Sequence, residues 1–533
     1  MLETRLTKRL HLTVLALVGL AGVFVVLVAT SRYGLAVGPD SAAYISTARS
    51  LADRQGFRSY YDPFAAWPPL LPLLLVGPVS ADMAPQMVAV WPNAIAFGLT
   101  VMVIGAWVRS ATGRLSLALI GQLLVIQAEP ILHYDWLMTE PLFLTLTTLL
   151  LWRLAAATSR RTWPNVLAVA VLASLAWLTR YTGIAAVATG GLVLLVTGKV
   201  PWRRRLGQTT VFATVTGVPM AMWLIRNQEL VGAAFGHRPH AHGVFWQNIS
   251  YAAGIIARWA WPAGGLEHLS PHLLASLLTT GFILGAAWLI KLLWQGRSRE
   301  TPTNESILML YVLAYLAFLL WSTSRYVNEQ IGDRYCCPIY PALVILAMLA
   351  LDRLARAARA CRSRWGAARL GLAAGGAWMA RILAIGLTQL PVTLTHQVRD
   401  GAGAFSTTLW RESDIGRGLL ADPLPPGPVL SNEPHAVYIL LGRVAQSIPR
   451  WELGVVVKPA GYPKVVAKWT ASVRAQPRYL IIWDQASYDN LVPLAELRRF
   501  WRFKTVRRFI DGTVYFVSIR EKELPGPMTQ PDE

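Results

Sequence analysis

Apolar residues run almost unbroken over 12–30, 86–108, 115–129, 137–157, 164–178, 182–198, 208–225, 272–294, 305–322, 335–351 and 370–391, separated by short polar breaks. A bilayer core takes about 20 such residues per helix, so the pattern predicts about eleven transmembrane helices. The first run follows Arg5, Lys8 and Arg9 and has no small-residue cleavage site before Tyr33, which reads as a retained helix and not a signal peptide.

Two stretches break the pattern. The first is a long outer loop, 31–85, in which GPDSAAYISTARSLADRQG predicts a helix opening at Asp40 and closing at Gly56 at the membrane surface. Asp40, Tyr44, Thr47 and Leu51 recur on one face of it. Asp40 reads either as an N-cap carboxylate or as a poised base. The loop continues as FAAWPPLLPLLL, where Pro68, Pro69 and Pro72 impose a stiff, extended entry to the next helix. The second break comes at about residue 395, where short strands (PVLSN, VAQSI, YLIIW) and polar helices replace the apolar runs. FKTVRRFIDGTVYFVSI reads as a hairpin turning at Asp511-Gly512. The predicted organisation is a transmembrane domain over 1–394, a small α/β domain over 395–523 and a flexible tail over 524–533. No GxGxxG phosphate loop accompanies the strands.

Composition agrees with a polytopic α-helical membrane protein. Of 533 residues 54% are hydrophobic and 15% charged, mean hydropathy is +0.41, and a soluble chain would carry about 25% charge. The net charge of +21 is not a nucleic-acid footprint, because the basic residues sit in short clusters between apolar runs. With the amino end inside, the inner connections hold Arg109 and Arg114; Arg160 and Arg161; Lys199 and Arg203 to Arg205; Lys291, Arg297 and Arg299; and Arg353, Arg356, Arg359, Arg362 and Arg364. An odd number of spans puts the carboxyl-terminal domain outside the cell inner or plasma membrane. Three cysteines, Cys336, Cys337 and Cys361, give neither a disulfide framework nor zinc-ligand spacing.

Candidate chemistry lies on the outer side. AEPILHYDWLMTEPLF packs Glu129, His133, Asp135 and Glu140 between two apolar runs, where acids are costly unless paired or hydrated. Glu140-Pro141 also suits a helix start, and His133 an interfacial side chain. Arg180, Arg226, Arg325 and Arg334 all fall on this side, against the positive-inside trend. Four guanidinium groups on the face that holds Asp40 and Glu140 point to an anion, most simply a phosphate. Arg180 and Arg334 are the first candidates, Arg325 and Arg49 the reserves. Across 226–272, His237, His240 and His242 are too irregularly spaced for a metal site, and Trp246, Trp259 and Trp261 read as an interface belt.

These residues together resemble the GT-C class. They are a D-x-x-x-Y helix after the first span (Asp40, Tyr44), a following PPL loop (Pro68, Pro69, Leu70), the start T-E-P-L-F (Thr139 to Phe143), L-T-R-Y-T-G (Arg180) and R-Y-x-x-P-x-x-P (Arg334, Tyr335, Pro338, Pro341). Within the class the chain is similar to lipid-linked-sugar transferases that include protein mannosyltransferases and bacterial aminoarabinose transferases. The resemblance implies a polyprenyl-phosphate sugar donor, an outward-facing site and inversion at the anomeric carbon, with a lipid, glycan or protein acceptor. It places the catalytic aspartate on Asp40, the acid opening the later span on Glu140 and the basic residue of a middle span on Arg180. Tyr44, Trp67 and Asp135 fall in the substrate loops. Some members carry Arg before the tyrosine and Lys before the proline, where this chain has Ala43 and Trp67, so the phosphate contacts must come from other cations. No DxD motif adjoins either acidic cluster, and neither cofactor nor metal is expected. The rival readings are a lipid or polysaccharide transporter or flippase, and a non-catalytic partner in envelope assembly.

Overall fold

The structure is a computed structural model that describes residues 2–197, 200–238, 244–262, 269–296, 303–326, 330–360, 366–449, 462–486 and 491–519. Contacts divide the chain into two units, Met1–Ala36 with Ala43–Ala402, and Val37–Ala42 with Gly403–Glu533.

The first unit is helical. It contains α1 (Leu2–Ala29), most of α2 (Pro39–Ala52), α3 (Leu70–Ser80), α4 (Val90–Thr112), α5 (Leu115–Gln127), α6 (Thr139–Ser159) and α7 (Trp163–Thr179). There follow α8 (Ile184–Val196), α9 (Trp202–Val231), α10 (Phe245–Ala260), α11 (Pro271–Gly296), α12 (Asn304–Arg325), α13 (Tyr340–Ala360) and α14 (Ala367–Asp400). Eight of the described helices are long and apolar enough to cross a membrane, and four shorter apolar helices accompany them. The runs at 115–129, 164–178 and 182–198 fall on three of those shorter helices. Within the stretch read as an outer loop, 245–260 forms the amphipathic helix α10, which packs Ile249, Ala252, Ala253 and Ile255 inward.

Small and polar residues set the packing. A Cβ on Gly98 of α4 would lie 2.4 Å from Val23 Cγ2 and 2.7 Å from the Gly19 carbonyl oxygen, so α1 and α4 approach as closely as glycine permits. Gln122 of α5 is fully buried and donates from Nε2 to the carbonyls of Leu15 (2.9 Å) and Val101 (3.3 Å), tying three helices together where no water competes. At one end of the bundle Asp352 is held by Arg114 (2.8 Å) and Arg356 (2.9 Å), and Glu305 by Arg353 (2.6 Å). The start of α6 and the end of α7 lie at the opposite end, because α4 to α7 run alternately up and down.

In the stretch read as the first outer loop, β1 (Arg58–Ser59) and β2 (Asp62–Pro63) form a two-residue antiparallel ladder. The helix expected from Asp40 to Gly56 spans Pro39–Ala52: it opens one residue earlier, with Asp40 in its first turn, and closes four earlier. The Ser50 hydroxyl then donates to the Gly56 carbonyl at 2.8 Å.

The second unit holds a five-stranded sheet of β3 (Val429–Ser431), β4 (Gln446–Ser447), β5 (Arg478–Trp483), β6 (Trp501–Phe509) and β7 (Gly512–Ile519), in the order β4-β3-β5-β7-β6. The β4-β3-β5 half is parallel, and β5-β7-β6 is antiparallel. Leu430, Leu480, Ile482, Trp501 and Val517 are among its core. The expected hairpin forms, but Phe509 pairs with Gly512, so the turn is Ile510-Asp511, one residue earlier than the Asp-Gly signal. The reason is the Asp511 carboxylate, which accepts from the amides of Asp414 and Ile415, both at 2.9 Å, and caps α15 (Asp414–Ala421).

Candidate active site

Glu140 stands in the first turn of α6, followed by a proline that suits the helix start and facing the positive end of the helix dipole. It is fully buried. Arg180 and Arg334 both reach its Oε1, Arg334 through Nε at 2.5 Å. The Thr139 hydroxyl donates to Glu140 Oε2 at 3.1 Å and accepts from Arg180 Nη1 at 3.0 Å. Local backbone explains the aim of both arginines. Arg180 follows the last residue of α7 in an extended conformation, before the tight turn Tyr181–Gly183 that reverses the chain into α8. Arg334 rides a single helical turn, Asp333–Cys336, between α12 and α13.

Two guanidinium groups against one carboxylate leave the trio with a net charge of +1. Burial disfavours the charge on Arg180, but Glu140 beside it outweighs burial and holds the pKa above the ordinary guanidinium value. Tyr44 and Tyr315 lie within electrostatic reach of Arg180. Arg180 Nε is buried without a hydrogen-bond partner. The trio can thus hold an anion at the end of the helical bundle, where one buried acid neutralises only one of the two positive groups.

Other candidates fall into separate groups. Tyr44 and Trp67 meet edge to face, with ring centroids 5.8 Å apart, and Trp67 stacks on Phe64 at 5.7 Å. Asp135 is buried and held by other partners: Gln397 Nε2 donates to its Oδ2 at 2.7 Å, and its amide donates to Glu129 Oε1 at 2.9 Å. Burial pushes both of these carboxyls up, Glu129 to about 7 against the hydrogen bonds it receives from Asp135, and the Glu129 charge raises Asp135 further. His133 caps the single turn Glu129–Leu132 with φ 60°, and burial lowers its pKa, which keeps the ring neutral. Arg325 ends α12 and lines a different cavity, about 730 Å³, with Phe245, Ile249, Phe282 and Trp321. Arg49 is exposed in the last turn of α2, and Asp40 is half-buried and belongs to the second contact unit. Arg226, one of four arginines expected to converge on an anion, hydrogen-bonds backbone carbonyls instead. His240, His242 and Cys361 lie outside the described residues. Among the described residues no three His, Cys, Asp or Glu side chains are grouped as metal ligands.

Sequence reasoning missed Thr139 as the bridge between Glu140 and Arg180, and the pairing of Glu129 with Asp135. The T-E dipeptide was a local signal for the first. The second had none, because neither acid's partner is legible without the fold.

No protein-family model and no curated protein sequence matches the chain. Solved structures do, and the fold is that of GT-C glycosyltransferases. The chain is similar to ArnT from Cupriavidus metallidurans bound to undecaprenyl phosphate, at 19% identity and a TM-score of 0.57 over 95% of this chain and 97% of that one. The apo state of the same protein gives 18% identity and 0.55 over 96% and 98%. Archaeoglobus fulgidus AglB, an oligosaccharyltransferase in complex with an inhibitory peptide and a dolichol-phosphate, gives 13% identity and 0.51 over 98% and 75%.

Proposed function

We propose that this protein transfers a sugar from a polyprenyl-phosphate donor to an envelope acceptor, with inversion, at the outer face of the membrane. The observation that carries the reading is the convergence of Arg180 and Arg334 on buried Glu140, at the bundle end opposite the Asp352–Arg114 and Glu305–Arg353 pairs. The likeness to structures bound to undecaprenyl phosphate and dolichol-phosphate supports a lipid phosphate as the anion. The positive-inside rule makes the basic end cytoplasmic, which supports an outward site.

In this mechanism the acceptor hydroxyl attacks the anomeric carbon from the side opposite the phosphate. The carbon–oxygen bond to phosphate breaks as the new glycosidic bond forms, so the configuration inverts. The hydroxyl proton passes to a carboxylate, assigned to Asp40, one helical turn before Tyr44 on the same face of α2. Arg180 and Arg334 take up the charge on the departing polyprenyl phosphate, which is already a good leaving group and needs no strong acid. Glu140 holds the two guanidinium groups together. Assaying purified protein in nanodiscs with polyprenyl-phosphate sugars and extracted envelope lipids, and weighing the products by mass spectrometry, tests the reading. Glycosylated acceptor and free polyprenyl phosphate in equal amounts are expected; donor moved across a vesicle membrane without either product would favour a flippase.

A further inference from the structure

The loop that ends in Trp67 is held from behind by side chains from elsewhere in the helical unit. Between β2 and α3 the chain has no regular ladder, yet three successive carbonyls are taken. Arg226 donates from Nη2 to Phe57 O (3.1 Å) and from Nη1 to Phe64 O (2.9 Å). Asn227 Nδ2 and the Tyr181 hydroxyl donate to Ala65 O, both at 3.3 Å, and Arg238 Nη2 donates to Ala66 O at 2.6 Å. Arg226 is itself fixed, with its guanidinium 4.5 Å from the Trp223 ring centroid and 5.3 Å from that of Phe57, and with Nη1 also donating to Asn227 Oδ1 at 2.8 Å. The loop after α9 presses against the same backbone. Gly236 sits at φ 73°, and a Cβ there would lie 3.0 Å from Ala66 Cα.

The next residue is Trp67. Phe64, 1% exposed, supports its ring at an interplanar angle of 25°, Tyr44 meets it edge-on, and Pro68 and Pro69 fix the chain beyond. Trp67 itself stays half-exposed. Tyr181, the neighbour of Arg180 in the chain, donates from its hydroxyl to the Ala65 carbonyl at 3.3 Å, so the loop that carries Trp67 is tied to the segment that carries Arg180. A carbonyl clamp of two arginines, an asparagine and a tyrosine is far more than a connector needs. It fits a side chain that must be held at a set angle before a ligand arrives.

We infer that Trp67 is a substrate platform, that it packs against the C–H-rich group bonded directly to the donor phosphate, and that Arg226, Asn227 and Arg238 are positioning residues acting through it. This inference rests on the proposed donor class. An uncharged indole on a loop tied to the Arg180 segment suits the apolar face of a sugar ring or the first isoprene unit, each one bond from the phosphate.

The test uses full-length protein in nanodiscs, with donor KM and kcat measured for Trp67→Ala, Trp67→Phe, Arg226→Ala, Asn227→Ala and the double variant Trp67→Ala/Arg226→Ala. Trp67→Ala is expected to raise KM by about tenfold with kcat little changed, and Trp67→Phe to restore most of it. Arg226→Ala should raise KM similarly and speed amide exchange in 57–66, and the double variant should be no worse than either single one, since both act through one contact. If Arg226→Ala does not fold, Asn227→Ala carries the same comparison. Binding of sugar-free polyprenyl phosphate separates the two sources: weakened by Trp67→Ala, it assigns the isoprene, and unchanged, the sugar. An unaltered KM in Trp67→Ala, or strictly additive effects, overturns the inference. Wild-type protein that transfers no sugar overturns the donor reading instead, while faster exchange in Arg226→Ala would still report the clamp.

Discussion

Arg334 and Glu140, 194 residues apart in the chain, meet through one contact of 2.5 Å between Nε and Oε1. Arg180 addresses the same oxygen, so Glu140 stands as a shared counter-charge between the two guanidinium groups. Glu140→Gln keeps the shape and removes that charge. The variant should lose about 3–5 kcal/mol of stability, as when one partner of a buried pair is removed. Added polyprenyl phosphate should return part of the loss, because a phosphate dianion can stand between the arginines. Thermal unfolding in detergent, with and without the lipid, checks both; a Glu140→Gln protein as stable as the parent contradicts the arrangement.

Arg180→Lys and Arg334→Lys retain charge but lose the planar fork that grips carboxylate and phosphate together. Donor KM is expected to rise by roughly 10-fold or more in each, in line with about 1.5–3 kcal/mol for a charged hydrogen bond. Arg325→Lys, at the end of α12 and lining the separate apolar cavity, should stay near the parent. Equal, parental kinetics in all three would move the phosphate site elsewhere.

How far the chain could be read in advance depended on whether a signal was local. Apolar runs of membrane length and the alternating strands of 429–519 are local, and both helices and sheet follow from them. The cations against the inside rule pointed to Arg180 and Arg334 without showing what they hold. Arg226 belonged to the same pattern, but its partners are the carbonyls of Phe57 and Phe64, and no sequence rule reports a backbone acceptor more than 160 residues away. The same limit hid the Gln397–Asp135 bond, which spans 262 residues. The hairpin turns one residue before the Asp511-Gly512 signal, and the Asp511 carboxylate accepts from the amides of Asp414 and Ile415, about 100 residues back in the chain, which no local turn signal reports.

The positive-inside rule predicts the topology. If Arg109 and Arg114 lie on the cytoplasmic side, a reporter fused after Ile519 should be active only when it functions outside the membrane. Full activity of a cytoplasm-only reporter at that position would invert the orientation and place Glu140 inside.

Asp40→Asn separates a base from a helix-start acid. Asp40 lies in the first turn of α2, where Gly38 N already donates to the Ser41 hydroxyl at 3.1 Å, and asparagine is about as compatible with a helix start as aspartate. The variant should therefore fold and bind donor, while kcat drops by about 10²–10⁴-fold, the usual contribution of a positioned base. Transfer at the parental rate would remove Asp40 from the chemistry, and Glu140 would be tested next.

The Glu129–Asp135 pair makes a pH-dependent contribution to stability whose sign is fixed by burial. Glu129 Oε2 is buried without a hydrogen-bond partner, and Asp135 is fully enclosed beside it. Desolvation raises both carboxyls above the ordinary value of about 4, Glu129 to about 7, and the charge of Glu129 adds to the rise of Asp135. From about 4 upward the folded chain binds more protons than the unfolded one, so stability falls as pH rises, with the Glu129 share complete once its folded pKa is passed. Glu129→Gln keeps an oxygen to accept the Asp135 amide and removes one titrating group. Relative to the parent, its thermal midpoint should be nearly unchanged near pH 5 and higher by roughly a few °C at pH 8, because each pH unit between the two pKa values is worth about 1.4 kcal/mol, spread over a helical unit of about 400 residues. Parallel pH profiles for parent and variant between 5 and 8 would show that these acids are ionised in the fold, and that the Gln397 bond to Asp135 is made to a full carboxylate throughout.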